Sequence, residues 1–569
     1  MHIIHYMTFI RRMKKGNKIY LCEYRSVREG KKVRSIFVRY LGVESDQEKV
    51  PLPKKQVVNW RPPERSVRAG DVTVLFQIAQ ELQMAETIDR ICGSNGRRRT
   101  ISPGKLLTAW AINRALDPES ATQLEDWIVN TDLPELFNWS SKGLNKDSFL
   151  SALDFICSYD KATDRVLDQT KAIDEMLYAK WRNIHPLPKG TDEILAYDMT
   201  SLLTYGKTCP LLEKGYNAEK WRHQQINLSL LVSKHDNQPL AHEIHPGNHA
   251  SMTTMQHLMP RLCDFAISQG TIIWDRGNTS QKTVTATERL GWKIICGIPK
   301  ISKDAKNIVI ETEVSESPAN LIPCKKSGEL YACKVKAQIF GNLKNVVVYR
   351  NVTHAAKSLV KRNKAIFEIN EELKTLKIEQ RFSSQKELQI ELKRILNGYY
   401  SFFDLQLLQE YGKVDFSWSI NEERLAEAKG MDGKYLLYST DEQLSAAEVV
   451  RMYLEKDFIE KVFRCIKTDE EIKPFRHRLE TRVRAIIFIS ILAFRLLAAL
   501  RWMINSSDSS NVTLSTSDFL KKLSRVQVLE ADLGKEIDRF YVNMTSVLSK
   551  QLVAIGMKDL LIGHRFLKS

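Results

Sequence analysis

The chain is most constrained after Gly190, where a helical period gives way to short β-branched and aromatic runs separated by turns. The runs are ILAYDMTSLLTYG from Ile194, INLSLLVSK from Ile226, QPLAHEIHPGN from Gln238, TIIWDRGN from Thr271 and WKIICGIPK from Trp292. Helical segments fall between them near Met255 to Ala266 and Val284 to Leu290. Three neighbouring strands, a helix, then strands alternating with helices specify a mixed α/β sheet with flanking helices. At 569 residues the chain exceeds one core, and about three or four domains are expected.

The organisation around that sheet reads in blocks. Residues 1–60 form a basic β-hairpin region, with runs Ile19 to Val27 and Val33 to Leu41 separated by Arg-Glu-Gly-Lys-Lys. Pro51, Pro53, Pro62 and Pro63 mark a linker. Residues 61–189 are helical, with a capped start at Ser102-Pro103. Arg97, Arg98 and Arg99 precede that helix and read equally as a phosphate-contacting loop or a solvated turn. The sheet domain occupies residues 190–300 and resumes at 443–510, interrupted by an α+β insertion over 301–442. Residues 511–569 complete the chain as a helical region.

Composition narrows the partners. Hydrophobic residues make up 43% and charged residues 27%, as in ordinary globular proteins. The net charge of +17 permits a polyanionic partner without specifying one. Nine cysteines show neither a CxxC pair nor a zinc spacing, and read as reduced thiols of a cytoplasmic protein. The N-terminus lacks the long apolar run of a secretory signal. The apolar stretch Ala485 to Ile504 has membrane length but contains Arg495 and Arg501, so a buried core helix is expected and no membrane partner.

Two aspartates stand where ligands of α/β sheets bind. Asp198 follows Ile194-Leu195-Ala196-Tyr197, and Asp275 follows Ile272-Ile273-Trp274 ahead of Arg276-Gly277-Asn278. A carboxylate at the tail of a buried strand faces the crevice outside the sheet and needs hydrogen bonds, a cation or a metal. Taken singly, each reads as a loop cap; on consecutive core strands, the pair points to function. Further along, a helix over Ser445 to Lys467 carries Tyr453, Lys456, Glu460, Arg464 and Lys467 on one stripe about 80° wide at about 100° per residue. Met452, Phe458, Ile459, Val462, Phe463 and Ile466 fall on the opposite, inward side. The stripe also fits a solvated face with ordinary ion pairs such as Lys456 with Glu460.

These residues resemble the DDE transposases of bacterial insertion sequences, in the group with a Tyr-x2-Arg-x3-Glu-x6-Lys signature. Tyr453, Lys456, Glu460 and Lys467 keep all three spacings, with Lys456 where the family usually has Arg. YDMTSLLTYG is similar to the family's first-Asp strand, HPGN at 245–248 to its Gly-Asn turn, and IIWDRGN to its second-Asp motif. The segment from Asp432 resembles the approach to the third acid in the subgroup with long insertions, although Ser251 stands near where that subgroup often has an acid. The spacings of 77 and 185 residues leave room for the insertion in the second interval.

The resemblance implies an RNase H-like catalytic core and cut-and-paste transposition. Asp198, Asp275 and Glu460 would be the catalytic, metal-binding acids, seating two Mg²⁺ ions, with Mn²⁺ able to substitute. Tyr453, Lys456, Arg464, Lys467 and Arg276 would grip DNA, Arg276 reading equally as a structural ion pair. The partners implied are terminal inverted repeats, target DNA and a second copy of the chain, in a bacterial, nucleoid-associated setting. The N-terminal region would read the element's ends. Trp274 and Trp418 read as packing residues rather than stacking partners for a flipped base. A nuclease without strand transfer, or a DNA-binding protein without catalysis, are the competing readings.

Overall fold

The computed structural model of the chain describes residues 8–16, 18–29, 32–43, 65–93, 100–139, 143–203, 208–215, 224–265, 267, 269–323, 328–379, 384–410, 413–469, 477–507, 515–532, 537–557 and 565–566. Arg97 to Arg99 and the proline linker lie outside them. The chain divides into two compact units, Met1–Pro62 with Ala531–Asp538, and Pro63–Glu530 with Arg539–Ser569.

The first unit holds a three-stranded antiparallel sheet of β1 (Thr8–Lys15), β2 (Lys18–Glu29) and β3 (Lys32–Val43). The expected hairpin is β2–β3. β1 was not legible as a strand because TFIRRMKK offers four cations and no clean alternation, and its partner is simply the nearest edge of the hairpin.

The second unit is built on a ten-stranded sheet. Its principal strands are β4 (Glu193–Leu203), β5 (Gln224–Ser233), β6 (Pro239–Pro246), β7 (Gly270–Trp274), β8 (Lys293–Ile298), β9 (Leu330–Ile339), β10 (Asn342–Asn351) and β11 (Lys434–Ser439). Their spatial order is β6-β5-β4-β7-β8-β11-β10-β9. β4, β5 and β6 run as an antiparallel meander, and β7 and β8 join parallel to β4. The runs Leu195 to Tyr197, Ile272 to Trp274 and Ile294 to Cys296 are almost wholly buried, as strands covered on both faces require.

The segment 301–442 does not stand wholly apart. β9, β10 and β11 extend the same sheet, because their apolar residues Val346, Val348 and Leu436 bury against Ile294 and Ile298. Helices Val352–Glu379 and Gln385–Leu396 and the hairpin Phe403–Glu410 with Lys413–Ile420 carry a core of their own around Leu373, Leu388 and Phe416. Trp418 donates to Asn370 Oδ1 at 2.8 Å there, and Trp274 is fully buried with Nε1 2.9 Å from Thr279 Oγ1, so both pack.

Helices form the other layer. α1 (Pro103–Leu116) starts as expected, with Ser102 Oγ accepting from Lys105 N and proline in the first turn. Three helices follow the sheet, α2 (Ala446–Glu455), α3 (Phe458–Arg464) and α4 (Glu480–Ser506). α4 packs against α1 and helix Lys146–Ile156, and its most apolar window is 89% buried inside the protein. Arg495, inside α4, is fully buried, with Nη2 3.1 Å from Asp174 Oδ1 while Asp174 Oδ2 lies 2.6 Å from His242 Nδ1. That buried pairing is why an arginine interrupts an otherwise apolar helix.

The C-terminal stretch is not purely helical. Between helices Thr516–Leu523 and Ser546–Ala554, strands Gln527–Asp532 and Ile537–Val542 join a small sheet with Arg65–Arg68. The eight cysteines of the described residues are all free thiols.

Candidate active site

β4 and β7 lie side by side and parallel, with Trp274 opposite Tyr197, so the next residue of each chain, Asp275 and Asp198, is matched across the pair. Both acids sit at the level where the buried β7 ends. Asp198 Oδ1 accepts from Met199 N at 2.8 Å, and Asp275 Oδ1 accepts from Arg276 N at 2.8 Å as the cap of the turn Arg276–Asn278.

The Asp275 turn is tied to the sheet from below. Trp274 Nε1 donates to Thr279 Oγ1, and Thr279 Oγ1 donates to Gly297 O on β8 at 2.7 Å. Sequence reasoning passed over Thr279 and Gly297; an aspartate followed four residues later by threonine was the only available signal. The meander is braced similarly. Ser201 Oγ donates to Asn227 Oδ1 at 3.0 Å, and Asn227 Nδ2 reaches Gly247 O and His249 O at 3.2 and 3.0 Å. The HPGN turn is thereby held against the first-aspartate strand.

α2 lies over the sheet and starts near Ser445 as expected, with a capping box between Ser445 and Glu448. Val449, Val450 and Tyr453 bury against Ile273, Ile295 and Leu437. Tyr453 therefore points into the sheet rather than along an exposed stripe, and its hydroxyl donates to Asp275 Oδ1 at 2.5 Å. Room for it comes from Gly297, where an added Cβ would stand 2.6 Å from Tyr453 Oη. Lys456 Nζ lies 3.9 Å from Asp275 Oδ1 and 5.0 Å from the Tyr453 ring centroid.

The single helix expected over Ser445 to Lys467 is broken. α2 ends at Glu455, Lys456 and Asp457 bridge the gap, and α3 starts anew at Phe458 before a π turn over Cys465–Asp469. The reason is packing: α2 buries on the sheet, whereas Ile459, Val462, Phe463 and Ile466 bury in the helical core with α4. One straight helix cannot serve two surfaces at different inclinations. The stripe is thus divided, with Tyr453 and Lys456 at Asp275 and the later residues on α3 and beyond.

α3 also rests against β4, the strand of Asp198. Glu460 is exposed, yet near enough for its charge to act on Asp198. Burial is the main force lifting the Asp198 carboxyl to about 6, with Asp275 and Glu460 adding to it and Met199 N–H and Lys456 opposing. At Asp275 burial also lifts the carboxyl, but Lys456, the Tyr453 hydroxyl and Arg276 outweigh it and hold it below the ordinary aspartate value. Tyr453 is pushed up by burial and by the carboxylate it bonds, so it stays a donor. Two carboxylates with opposite displacements in one crevice are a functional-site signature.

The rival acid Glu455 pairs with Lys234 at 2.5 Å, and Glu470 lies outside the described residues. Arg276 is exposed beside the Asp275 turn, and Lys467 is half-buried in the π turn. Arg464 is exposed and lines a cleft of about 820 Å³ with Lys461 and Arg501, away from the Asp275 pairing. Among the described residues no three His, Cys, Asp or Glu side chains are drawn together tightly enough to form a ready metal site. The donor set fits a hard cation in kind, because oxygen-only carboxylates are what Mg²⁺ selects, and burial leaves the Asp198 carboxylate short of compensating charge.

The comparisons with known proteins place the chain in a family. A family model described as the transposase DDE domain matches residues 189–496. No curated protein is similar enough to match the chain. A solved structure described as the cryo-EM structure of the piggyBac transposase synaptic complex with hairpin DNA is 11% identical, covering 80% of this chain and 79% of that chain with a TM-score of 0.38. The matched span includes both aspartates, the broken helix with Glu460 and most of α4, and on that footing this chain belongs to the DDE transposase family.

Proposed function

We propose that the chain cleaves DNA at the ends of a mobile element and joins the freed ends to target DNA, using Asp198, Asp275 and Glu460 to hold Mg²⁺ or Mn²⁺. The observation that carries the reading is the matched placement of Asp198 and Asp275 on adjacent parallel strands, with Tyr453 and Lys456 anchored on Asp275. The strand order β6-β5-β4-β7-β8, a meander followed by two parallel strands, supports an RNase H-like core.

When bound, the divalent ions would supply an activated water or 3′-hydroxyl and charge for the leaving oxygen. The chain's own groups do the rest. Tyr453 donates to Asp275 and keeps that carboxyl ionised and oriented. Lys456, a compact ammonium over the Tyr453 ring, balances the carboxylates until substrate arrives and then offers its charge to a flanking phosphate. Asp198, with its carboxyl raised to about 6 by burial, would hold a cation as the carboxylate and so bind it less well in acid. Arg276, Arg464 and Lys467 are assigned to the DNA backbone, and a second copy of the chain to the other end of the element.

The test incubates the purified chain with linear DNA carrying the ends of its element and Mg²⁺ or Mn²⁺. Joined products support transposition. Nicks without joining support a nuclease, and a mobility shift alone supports a DNA-binding protein without catalysis.

A further inference from the structure

The chain's charge is concentrated in its three-stranded N-terminal sheet. Residues 8–43 contain eleven Lys and Arg against two Glu, a net +9 out of +17 for the whole chain. On the same strands, Phe9, Phe37 and Tyr40 are 38%, 52% and 52% exposed. Large rings left in water on so short a sheet call for a partner.

The rings are grouped on one face. Phe9 on β1 pairs in register with Tyr24 on β2, and Tyr24 with Phe37 on β3. Their ring centroids stand 6.1 and 5.8 Å apart. Tyr20 and Tyr40 make a second contact at 6.0 Å. Phe37 and Tyr40 are three residues apart, a spacing that in a regular strand puts side chains on opposite faces. β-Bulges shift the register at Leu21/Cys22 and Glu23/Tyr24, so Phe37 faces Tyr24 and Tyr40 faces Cys22, two residues away on β2 and hence on one side. The irregularity thus gathers the aromatic side chains. The Arg11 guanidinium lies 5.6 Å from the Tyr24 ring centroid, placing a cation among the rings. The alternate positions carry Arg12, Lys14, Arg25 and Arg39, the last bonded to Glu23 at 2.7 Å.

We propose that this sheet is a stacking platform for unpaired DNA bases, with Phe9, Tyr24, Phe37 and Tyr40 receiving bases and Arg11 and its neighbouring cations receiving phosphates. Every base has a π-face, so such a surface reads strand state rather than sequence. Charge complementarity selects a polyanion, and membership of the DDE transposase family selects DNA over a lipid surface. The inference rests on that membership, not on the metal reading of the acids.

The full chain is titrated with a labelled single-stranded oligonucleotide, the same sequence as a duplex, and anionic vesicles. Replacing Phe37→Ala with Tyr40→Ala weakens single-strand binding about ten- to hundredfold while duplex binding changes about threefold or less. Arg11→Gln lowers the slope of log affinity against log salt by about one. Equal loss for duplex, no loss, or a change confined to vesicles or to oligomeric state overturns the proposal. Photo-crosslinking of a bromodeoxyuridine oligonucleotide to the unaltered chain covers the case of a variant that fails to fold. Crosslinks at Tyr24, Phe37 or Tyr40 support the platform, and crosslinks confined to other segments overturn it. Single-strand binding is read without a divalent ion and cleavage only with one, so a failed cleavage assay and a failed platform are separate results.

Discussion

Replacing Gly297 by alanine puts a methyl group where the Tyr453 hydroxyl passes. The added Cβ would meet Tyr453 Oη at 2.6 Å and Arg276 Cβ and N at 3.1 Å. Overpacking of this kind costs about 1–3 kcal/mol, offset by a few tenths because alanine restricts the unfolded chain. Tyr453→Phe removes the hydroxyl and its bond to Asp275, costing about 1.5 kcal/mol, the low end for a bond to a charged group because the Asp275 side chain is 46% exposed and water can replace the donor. The closest atom in the clash is that same hydroxyl, so the two losses overlap. The double variant should be more stable than the sum of the singles by about 1 kcal/mol, measured by urea unfolding of the full chain followed by circular dichroism. Additivity within about 0.3 kcal/mol would refute the claim that Gly297 exists to admit Tyr453.

Other perturbations follow from the same geometry. Asp198 has a carboxyl raised to about 6 by burial, so it favours folding fully below the ordinary aspartate range and loses that contribution as pH rises through about 6. Asp198→Asn should therefore stabilise the metal-free chain by about 2 kcal/mol at neutral pH and by little near pH 4, measured by urea unfolding at both pH values. Mg²⁺ should raise the melting temperature of the parent chain and leave that of Asp198→Asn nearly unmoved, and equal shifts would exclude Asp198 as a ligand. Asp275→Asn and Glu460→Gln should abolish strand cleavage while retaining end binding by mobility shift, and near-normal turnover in either would remove that residue from the site. Asp174→Ala strands the buried Arg495 and should cost about 3–5 kcal/mol in unfolding, whereas a loss under about 1 kcal/mol would show the pair to be unimportant.

The two aspartates were legible because a polar residue after a buried run leaves a simple signature, Ile194 to Tyr197 before Asp198 and Ile272 to Trp274 before Asp275; β7 does end at Trp274, whereas β4 continues past Asp198 to Leu203. The caps at Ser102 and Ser445 were equally visible, since they depend on three or four consecutive residues. What stayed hidden depends on contacts far apart in sequence. The break after Lys456 has no proline or glycine to announce it and arises because neighbouring turns bury in different cores. A helical wheel assumes one continuous axis, so it shows neither the turn of Tyr453 into the sheet nor the division of the stripe between α2 and α3. The continuation of the sheet through β9, β10 and β11 was obscured by the helices inserted between β10 and β11.

The interruption between α2 and α3 also seats Glu460 differently from Asp198 and Asp275. Asp198 and Asp275 ride on the sheet, as does Tyr453, whose helix is cemented to it. Glu460 rides on α3, whose apolar side is embedded among the helices around α4. The distance of Glu460 from Asp198 is therefore set by how α3 packs on β4, in a core shared with Ala196 and Leu202. A change in the packing of α3 on β4 would therefore move the exposed Glu460 carboxylate relative to Asp198 without altering either backbone segment.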